Sequence, residues 1–324
     1  MTDPAGRAPG PDDAPPAPPA PAWFRDALAQ QPREDTVEVE GCAIRTRAWG
    51  VPGAPGIMLV HGGAAHARWW DFLAPLLADR HHVVALDLSG HGDSGRREAY
   101  PPLTWAAEVR AVAAANGMHR PVVVGHSMGG FVAIVCAATF GDELAGAVVV
   151  DSPVRRPDPE REEARRRGSM FRAPKTYASL AEAMDHFVLV PPQPCEHPFV
   201  LHHVARTSLH RTDAGWTWKF DPHVFGRFSP SDPVFSDYLE GVRCRVAVVH
   251  GELSGIVDDE VVGWMNERLG RNAPFVEVPQ AHHHLLLDQP LAFVTAVRAL
   301  LADWEHTVPR SLVAGLGPEG GTGG

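Results

Sequence analysis

Residues 121–130 read Pro121-Val-Val-Val-Gly-His-Ser-Met-Gly-Gly130. The three valines predict a buried strand, and the small residues from Gly129 through Ala138 predict a helix directly after it. Gly125, Ser127 and Gly129 satisfy the pattern G-x-S-x-G, in which a serine stands on a tight turn between strand and helix. The glycines remove Cβ atoms that would collide with both elements. The pattern therefore predicts a serine hydroxyl at a helix N-terminus, where backbone amides favour negative charge.

Three further stretches follow buried runs in the same manner. They are His61-Gly62-Gly63, Asp87-Leu-Ser-Gly-His-Gly-Asp-Ser94 and Ala281-His-His-His-Leu-Leu-Leu-Asp-Gln-Pro290. Together with Gly-His-Ser-Met-Gly-Gly they resemble the serine hydrolases of the α/β-hydrolase superfamily, from about Val37 to Trp304. The resemblance implies an α/β fold: a mostly parallel central sheet flanked by helices, with a mainly helical cap inserted after strand 6.

The composition divides the chain into four parts. Residues 1–22 are rich in proline and alanine and have few large apolar side chains, so we predict a disordered tail. Residues 23–152 and 240–308 alternate predicted strands and helices and form the hydrolase core. Residues 153–239 lose this alternation and are predicted to form the cap (lid). The glycine-rich residues 309–324 are predicted to be flexible.

Length and charge exclude several classes of function. With 324 residues and 44% hydrophobic content, the chain can bury a large core. A net charge of −10 argues against a nucleic-acid partner. No apolar run reaches the roughly 20 residues that span a bilayer, and no secretory signal is visible, so we expect a cytoplasmic protein without a membrane partner. The four cysteines, scattered without metal-type spacing, are expected to be free thiols.

A serine hydroxyl needs a general base within hydrogen-bond reach, and the sequence offers three histidines near its end. They are His282, His283 and His284. The resemblance places the catalytic histidine seven residues before the proline that opens the final helix, which selects His283 from Pro290. The other two histidines are expected to support it.

The same triplet raises the question of a metal site. Consecutive residues rarely converge on one ion, and no cysteine, histidine or carboxylate stands at ligand spacing from the triplet. We therefore predict no metal. The resemblance implies no cofactor either.

The acid of the triad departs from the commonest pattern of the superfamily. Most members carry aspartate in Gly-x-x-Asp, whereas this chain has Gly251-Glu-Leu-Ser254. Asp151, at the end of the preceding predicted strand, resembles the acid of a subgroup of small esterases, and relocated acids also occur in haloalkane dehalogenases. Asp258 and Asp259 are the alternatives, and a loop-capping carboxylate is the structural alternative for Asp151.

The resemblance also implies an oxyanion hole made of the backbone N–H groups of Gly63 and Met128. His61 is interpreted as a structural side chain that holds this loop. Trp216 and Trp218 alternate in the cap, so both point to one side and either line a substrate pocket or pack within the lid.

These residues predict a serine hydrolase that cleaves a carboxylic ester, thioester or lactone of a small, largely apolar molecule through an acyl-enzyme. The partner is a small-molecule acyl substrate. Two other interpretations use the same catalytic residues: an acyltransferase or cyclase, and a C–C bond hydrolase, of a biosynthetic pathway. A non-enzymatic interpretation is a ligand-binding protein without catalysis, because a fold can be reused without its original chemistry.

Overall fold

The computed structural model describes residues 10, 12–156, 158, 174–224 and 235–307. The predicted C-terminal tail, residues 309–324, and most of the first eleven residues lie outside this range.

Ten strands are present in the described part of the chain. They are β1 (Arg33–Val39), β2 (Cys42–Trp49), β3 (Gly56–Val60), β4 (His82–Leu86), β5 (Val122–His126), β6 (Gly146–Val150), β7 (Leu209–Thr212), β8 (Gly215–Trp218), β9 (Arg245–Gly251) and β10 (Phe275–Val278). Eight of them form one sheet in the order β1-β2-β4-β3-β5-β6-β9-β10. The pairs β1/β2 and β2/β4 are antiparallel, and the others are parallel.

The helices of the described chain cover both faces of this sheet and form part of the cap. They are α1 (Ala22–Ala29), α2 (Ala74–Leu77), α3 (Pro102–Ala115), α4 (Met128–Phe140), α5 (Leu180–Asp185), α6 (Pro198–Thr207), α7 (Phe235–Glu240), α8 (Asp259–Arg268), α9 (Leu285–Asp288) and α10 (Pro290–His306). Because side chains alternate along a strand, Met58 and Val60 of β3 face α3 and α4, while Ile57 and Leu59 face α1, α2 and α10. Within the described ranges, no helix combines the length and apolarity needed to cross a bilayer.

The parallel central strands bring the functional loops to one edge. In β5 and β6 every residue is buried, as expected for strands covered by helices on both faces. All parallel strands point the same way, so the segments that follow β3, β5, β6, β9 and β10 meet beyond their carboxyl ends. Ser127, Asp151 and His283 lie on three of these segments.

The described part of the cap between β6 and β9 contains an antiparallel hairpin besides its helices. Its described part contains α5 and α6, and also the antiparallel hairpin β7–β8. The hairpin forms where Gly215-Trp-Thr-Trp218 alternates, because this period suits a strand with one covered face. The backbone N–H of Asp221 donates to the Gly90 carbonyl at 2.7 Å, which joins the cap to the loop after β4.

The last predicted cap residues pack on the core. In α7, Phe235 stacks on Phe131 of α4 with ring centroids 4.6 Å apart, and Leu239 is fully buried. The apolar side of α7 is buried against the apolar surface of α4, so this helix packs on the core.

Part of the predicted disordered tail makes defined contacts. The Pro15 carbonyl accepts a hydrogen bond from His202 Nε2 at 2.9 Å, and Asp12 pairs with Arg211. Ala14 packs against the apolar cluster of the cap. Residues 12–21 have no helix or strand, as their composition predicts, but cap residues distant in sequence supply the partners that the segment itself lacks.

Candidate active site

Ser127 stands on the turn between β5 and α4. Its backbone has φ 53° and ψ −115°, a conformation that a non-glycine residue adopts only when its surroundings impose it. The Ser127 N–H donates to the Val150 carbonyl of β6 at 2.8 Å, and the Ser127 carbonyl accepts from Gly130 N–H at 2.9 Å. The hydroxyl does not cap the helix that it precedes, so it is free to face a substrate.

Glycines allow three backbone segments to meet at this turn. A Cβ at Gly125 would overlap the carbonyl oxygen of Gly129, and a Cβ at Gly129 would overlap the carbonyl of Val60. A Cβ at Gly62 would lie 3.3 Å from Ser127 Cβ. The loop after β3 therefore lies directly beside the serine.

We expect Gly125→Ala to lower the free energy of unfolding by about 3 kcal/mol or more, because backbone atoms must move to admit the methyl group. Gly263→Ala is the matched control. Gly263 is an exposed helical residue of α8 with nothing near its Cβ position, so alanine should stabilise the protein by up to about 1 kcal/mol. Urea unfolding of both variants measures the effect. Equal stability of the Gly125 variant and wild type would contradict it.

Asp151 and His283, 132 positions apart in the chain, form a buried pair. His283 Nδ1 donates to Asp151 Oδ1 at 2.8 Å, and the two residues are 2% and 0% exposed. The backbone N–H of Gly251 donates to Asp151 Oδ2 at 2.9 Å. A carboxylate in this position fixes the tautomer of the imidazole and stabilises its positive form.

Ser254, in the usual acid position of the superfamily, hydrogen-bonds the displaced acid. Its hydroxyl donates to Asp151 Oδ1 at 2.8 Å, and its oxygen accepts from the N–H of Val257 at 3.1 Å. The sequence pattern identifies Ser254 only as the position of the missing acid. The pairing of serine there with aspartate after β6 was the available signal for this contact.

The alternative acids occupy other positions. Asp258 accepts the Val261 N–H at 2.9 Å as the N-cap of α8 and pairs with Arg155 at 3.2 Å. Asp259 is exposed in the first turn of the same helix. Neither carboxylate hydrogen-bonds His283.

The three consecutive histidines have three different environments. His282 is half-buried and lies 3.4 Å from Asp288, measured from Nδ1 to Oδ2. His284 is buried against Trp69, with ring centroids 5.7 Å apart. The backbone carbonyl of His283 accepts a hydrogen bond from His126 Nε2 at 3.0 Å, which joins the end of β5 to the loop after β10. Sequence reasoning gave no role to His126.

The predicted oxyanion donors lie in the loop after β3 and at the first residue of α4, two segments that the glycines bring together. Among the described residues, the backbone N–H groups of Gly63 and Met128 have no hydrogen-bond acceptor. His61 holds the first loop: its Nδ1–H donates to the Gly62 carbonyl at 2.7 Å, and its Nε2 accepts from Leu88 N–H at 3.1 Å. These bonds agree with the structural interpretation of His61.

Trp216 and Trp218 pack in the apolar cluster of the cap, with α5 and α6. Trp218 contacts Phe187 and Tyr177, at ring-centroid distances of 5.8 and 6.1 Å. This packing accounts for their alternation without a substrate, so their role in a pocket stays a prediction.

Burial shifts the titration of several groups around the site. It lowers the pKa of His61 to about 4. Burial also holds the pKa values of four other histidines well below the usual 6.5: His66, His91, His126 and His284. Burial acts in the opposite sense on Asp87, whose pKa is raised to about 6. The Asp87 carboxylate accepts hydrogen bonds from the backbone N–H groups of Ala67 and Asp93 and so shapes the loop after β4.

These shifts predict that stability falls as pH decreases from about 6.5 to 4. The unfolded chain protonates these histidines near pH 6.5 while the folded chain keeps them neutral, so His61 alone contributes about 3 kcal/mol that is lost over this range. Asp87 opposes the trend below pH 6 because its pKa is raised, whereas the lowered pKa values of the other four histidines act in the same direction as that of His61. Urea midpoints at pH 7.5 and 5.0 test this. A midpoint equal or higher at pH 5.0 would contradict the prediction.

Comparison with known proteins agrees with this fold. Residues 57–297 match the model of the Alpha/beta hydrolase family. The Mycobacterium tuberculosis esterase Rv0045c is 26% identical over 276 residues, covering 83% of this chain and 90% of the relative. A structure of that esterase, reported with its transition metal inhibition, has a TM-score of 0.67 at 23% identity and covers 87% of this chain and 98% of its own.

A second solved structure shares the fold. The thioesterase domain from the curacin biosynthetic pathway has a TM-score of 0.69 at 21% identity, covering 82% of this chain and 99% of its own. Since the family model spans most of the chain and both structures have the same architecture, the protein belongs to the alpha/beta hydrolase family.

Proposed function

We propose that the protein is a serine hydrolase that cleaves a carboxylic ester, thioester or lactone of a small, largely apolar molecule. The observation that carries the proposal is the buried hydrogen bond of 2.8 Å between Asp151 and His283, beside the strained turn at Ser127. A non-catalytic ligand-binding protein has no need for such an acid–histidine pair next to an uncapped serine hydroxyl.

Each residue then has a defined step. Asp151 holds the proton on His283 Nδ1, so Nε2 is left to remove the proton from Ser127 Oγ as this oxygen attacks the acyl carbonyl. The backbone N–H groups of Gly63 and Met128 stabilise the oxyanion. His283 then donates the proton to the leaving alcohol or thiol. Water, deprotonated by the same histidine, releases the acid and restores Ser127.

One relative supports an ester as the substrate. The Mycobacterium tuberculosis relative that covers most of this chain is named an esterase. Serine at position 127 also argues against epoxide opening and halide displacement, because relatives with those reactions use aspartate as the nucleophile.

The test combines turnover with covalent labelling. Initial rates on p-nitrophenyl esters from acetyl to dodecanoyl measure hydrolysis and the size of the acyl pocket. A fluorophosphonate probe, followed by peptide mass spectrometry, identifies the reactive serine. We expect ester hydrolysis and labelling of Ser127. Labelling without hydrolysis of any ester would favour the acyltransferase, and neither labelling nor hydrolysis would favour the ligand-binding protein.

A further inference from the structure

Three buried histidines converge at the site although only two are neighbours in sequence. His126 comes from the end of β5, and His283 and His284 follow β10. Their ring centroids are 4.8 Å apart for His126 and His283, 4.6 Å for His283 and His284, and 5.4 Å for His126 and His284. One ring nitrogen of each lies within 4.8 Å of one nitrogen of each of the others.

Hydrogen bonds fix which nitrogens are free. His283 Nδ1 carries the proton that Asp151 accepts, so His283 Nε2 keeps a lone pair. His126 Nε2 must donate to the His283 carbonyl, so His126 Nδ1 also keeps a lone pair, and it has no partner among the described residues.

His284 offers the third nitrogen. Neither of its ring nitrogens makes a hydrogen bond of normal geometry in the described part of the chain, although the Val190 and Pro191 carbonyls lie beside the ring. One nitrogen can keep its proton toward these carbonyls while the other stays unprotonated. A buried polar nitrogen without a partner is costly, and such groups require an explanation.

We propose that His126, His283 and His284 form a binding site for a divalent transition-metal ion such as Zn²⁺. Three neutral imidazoles are a ligand set that Zn²⁺ prefers, whereas Mg²⁺ and Ca²⁺ prefer oxygen. The Asp151–His283 hydrogen bond supplies the carboxylate behind a histidine ligand that is common in zinc sites. A Zn–N distance of about 2.0–2.1 Å places two ligand nitrogens about 3.4 Å apart, so the rings rotate inward on binding.

A metal ion bound at this site stops ester hydrolysis. This consequence rests on the proposed function, in which His283 is the general base. A metal ion on His283 Nε2 occupies the lone pair that must accept the proton of Ser127. The ion is therefore an inhibitor rather than a cofactor, and a chelator restores activity. The sequence-based prediction of no metal considered only the triplet and did not include His126.

The experiment separates binding from inhibition. Chelator-treated protein carrying Ser127→Ala, which cannot hydrolyse esters but keeps all three histidines, is titrated with Zn²⁺ by calorimetry. Co²⁺ reports the coordination geometry through its visible absorption. We expect one strong site per chain, and a dissociation constant at least about 100-fold higher in His284→Ala or His126→Gln, because loss of a ligand costs no less than loss of its outer-shell partner.

His282→Ala is the matched control, since the half-buried His282 belongs to the same triplet but pairs with Asp288 instead of joining the three buried rings. It should keep the Zn²⁺ site. Circular dichroism of each variant checks that it is folded. If a variant does not fold, the visible absorption of Co²⁺ bound to the wild-type protein still tests whether histidine nitrogens coordinate the ion. Equal Zn²⁺ affinity in wild type and both site variants, or no one-to-one binding, would overturn the site. Strong binding without loss of ester hydrolysis would instead overturn the assignment of His283 as the base.

Discussion

Ser127→Ala is expected to lower kcat for p-nitrophenyl esters by about 10⁵- to 10⁶-fold, the loss typical of removing a serine nucleophile. The alanine has no oxygen to form the acyl-enzyme, and the remaining donors stabilise only the slow direct attack of water. The strained turn stays in place, because Val150 and Gly130 hold it through backbone atoms. Initial rates and circular dichroism measure the two effects.

Ser152 supplies a matched control for this substitution. It is a buried serine next to the same turn, and its hydroxyl donates to the Ser127 carbonyl at 2.7 Å. Ser152→Ala removes the hydroxyl that donates to the Ser127 and Val150 carbonyls, about 1 kcal/mol of stability, but not the nucleophile. Hydrolysis that survives in Ser127→Ala and is lost in Ser152→Ala would refute the assignment.

Asp151→Asn is expected to lower kcat by about 10⁴-fold with the fold retained. The amide has nearly the shape of the carboxylate and can still accept the N–H of Gly251, so the backbone there stays in place. It carries no charge to stabilise the imidazolium, and its NH₂ group favours the wrong histidine tautomer. Rates across pH 6–9 show whether the loss is uniform.

Asp258→Asn is the control that tests the alternative acid. Asparagine caps a helix about as well as aspartate, so α8 should be unaffected and activity should stay within about 2-fold of wild type. Near wild-type activity in Asp151→Asn, together with loss in Asp258→Asn, would move the acid to the helix cap.

A double variant adds a gain-of-function readout. Ser254 occupies the position where most family members carry the acid, and its hydroxyl lies 2.8 Å from Asp151 Oδ1. Asp151→Asn with Ser254→Asp returns a carboxylate to the neighbourhood of His283. We expect it to recover part of the activity lost in Asp151→Asn alone. No recovery would show that the carboxylate must lie at the end of β6.

The core fold follows from patterns that span a few residues. The valine runs of β5 and β6 predict strands buried on both faces. The glycines around Ser127 predict the turn, because a Cβ at Gly125 would overlap the carbonyl of Gly129, only four residues away. The family order places the serine and His283 without any knowledge of the sheet. These features were therefore predictable from the sequence.

What the sequence left open depends on which distant segments meet. The strand order β5-β6-β9 places Asp151 beside Gly251 and Ser254, whereas the sequence favoured Asp151 by resemblance and left Asp258 and Asp259 open as alternatives. In the same way, residues 126 and 283, 157 positions apart, meet because β5 lies near the chain's last strands. The sequence by itself indicated the strands and helices of the core, the serine and, by resemblance, Asp151. Only the tertiary structure decided between Asp151 and Asp258 as the partner of the histidine, since hydrogen bonds between distant residues depend on strand order.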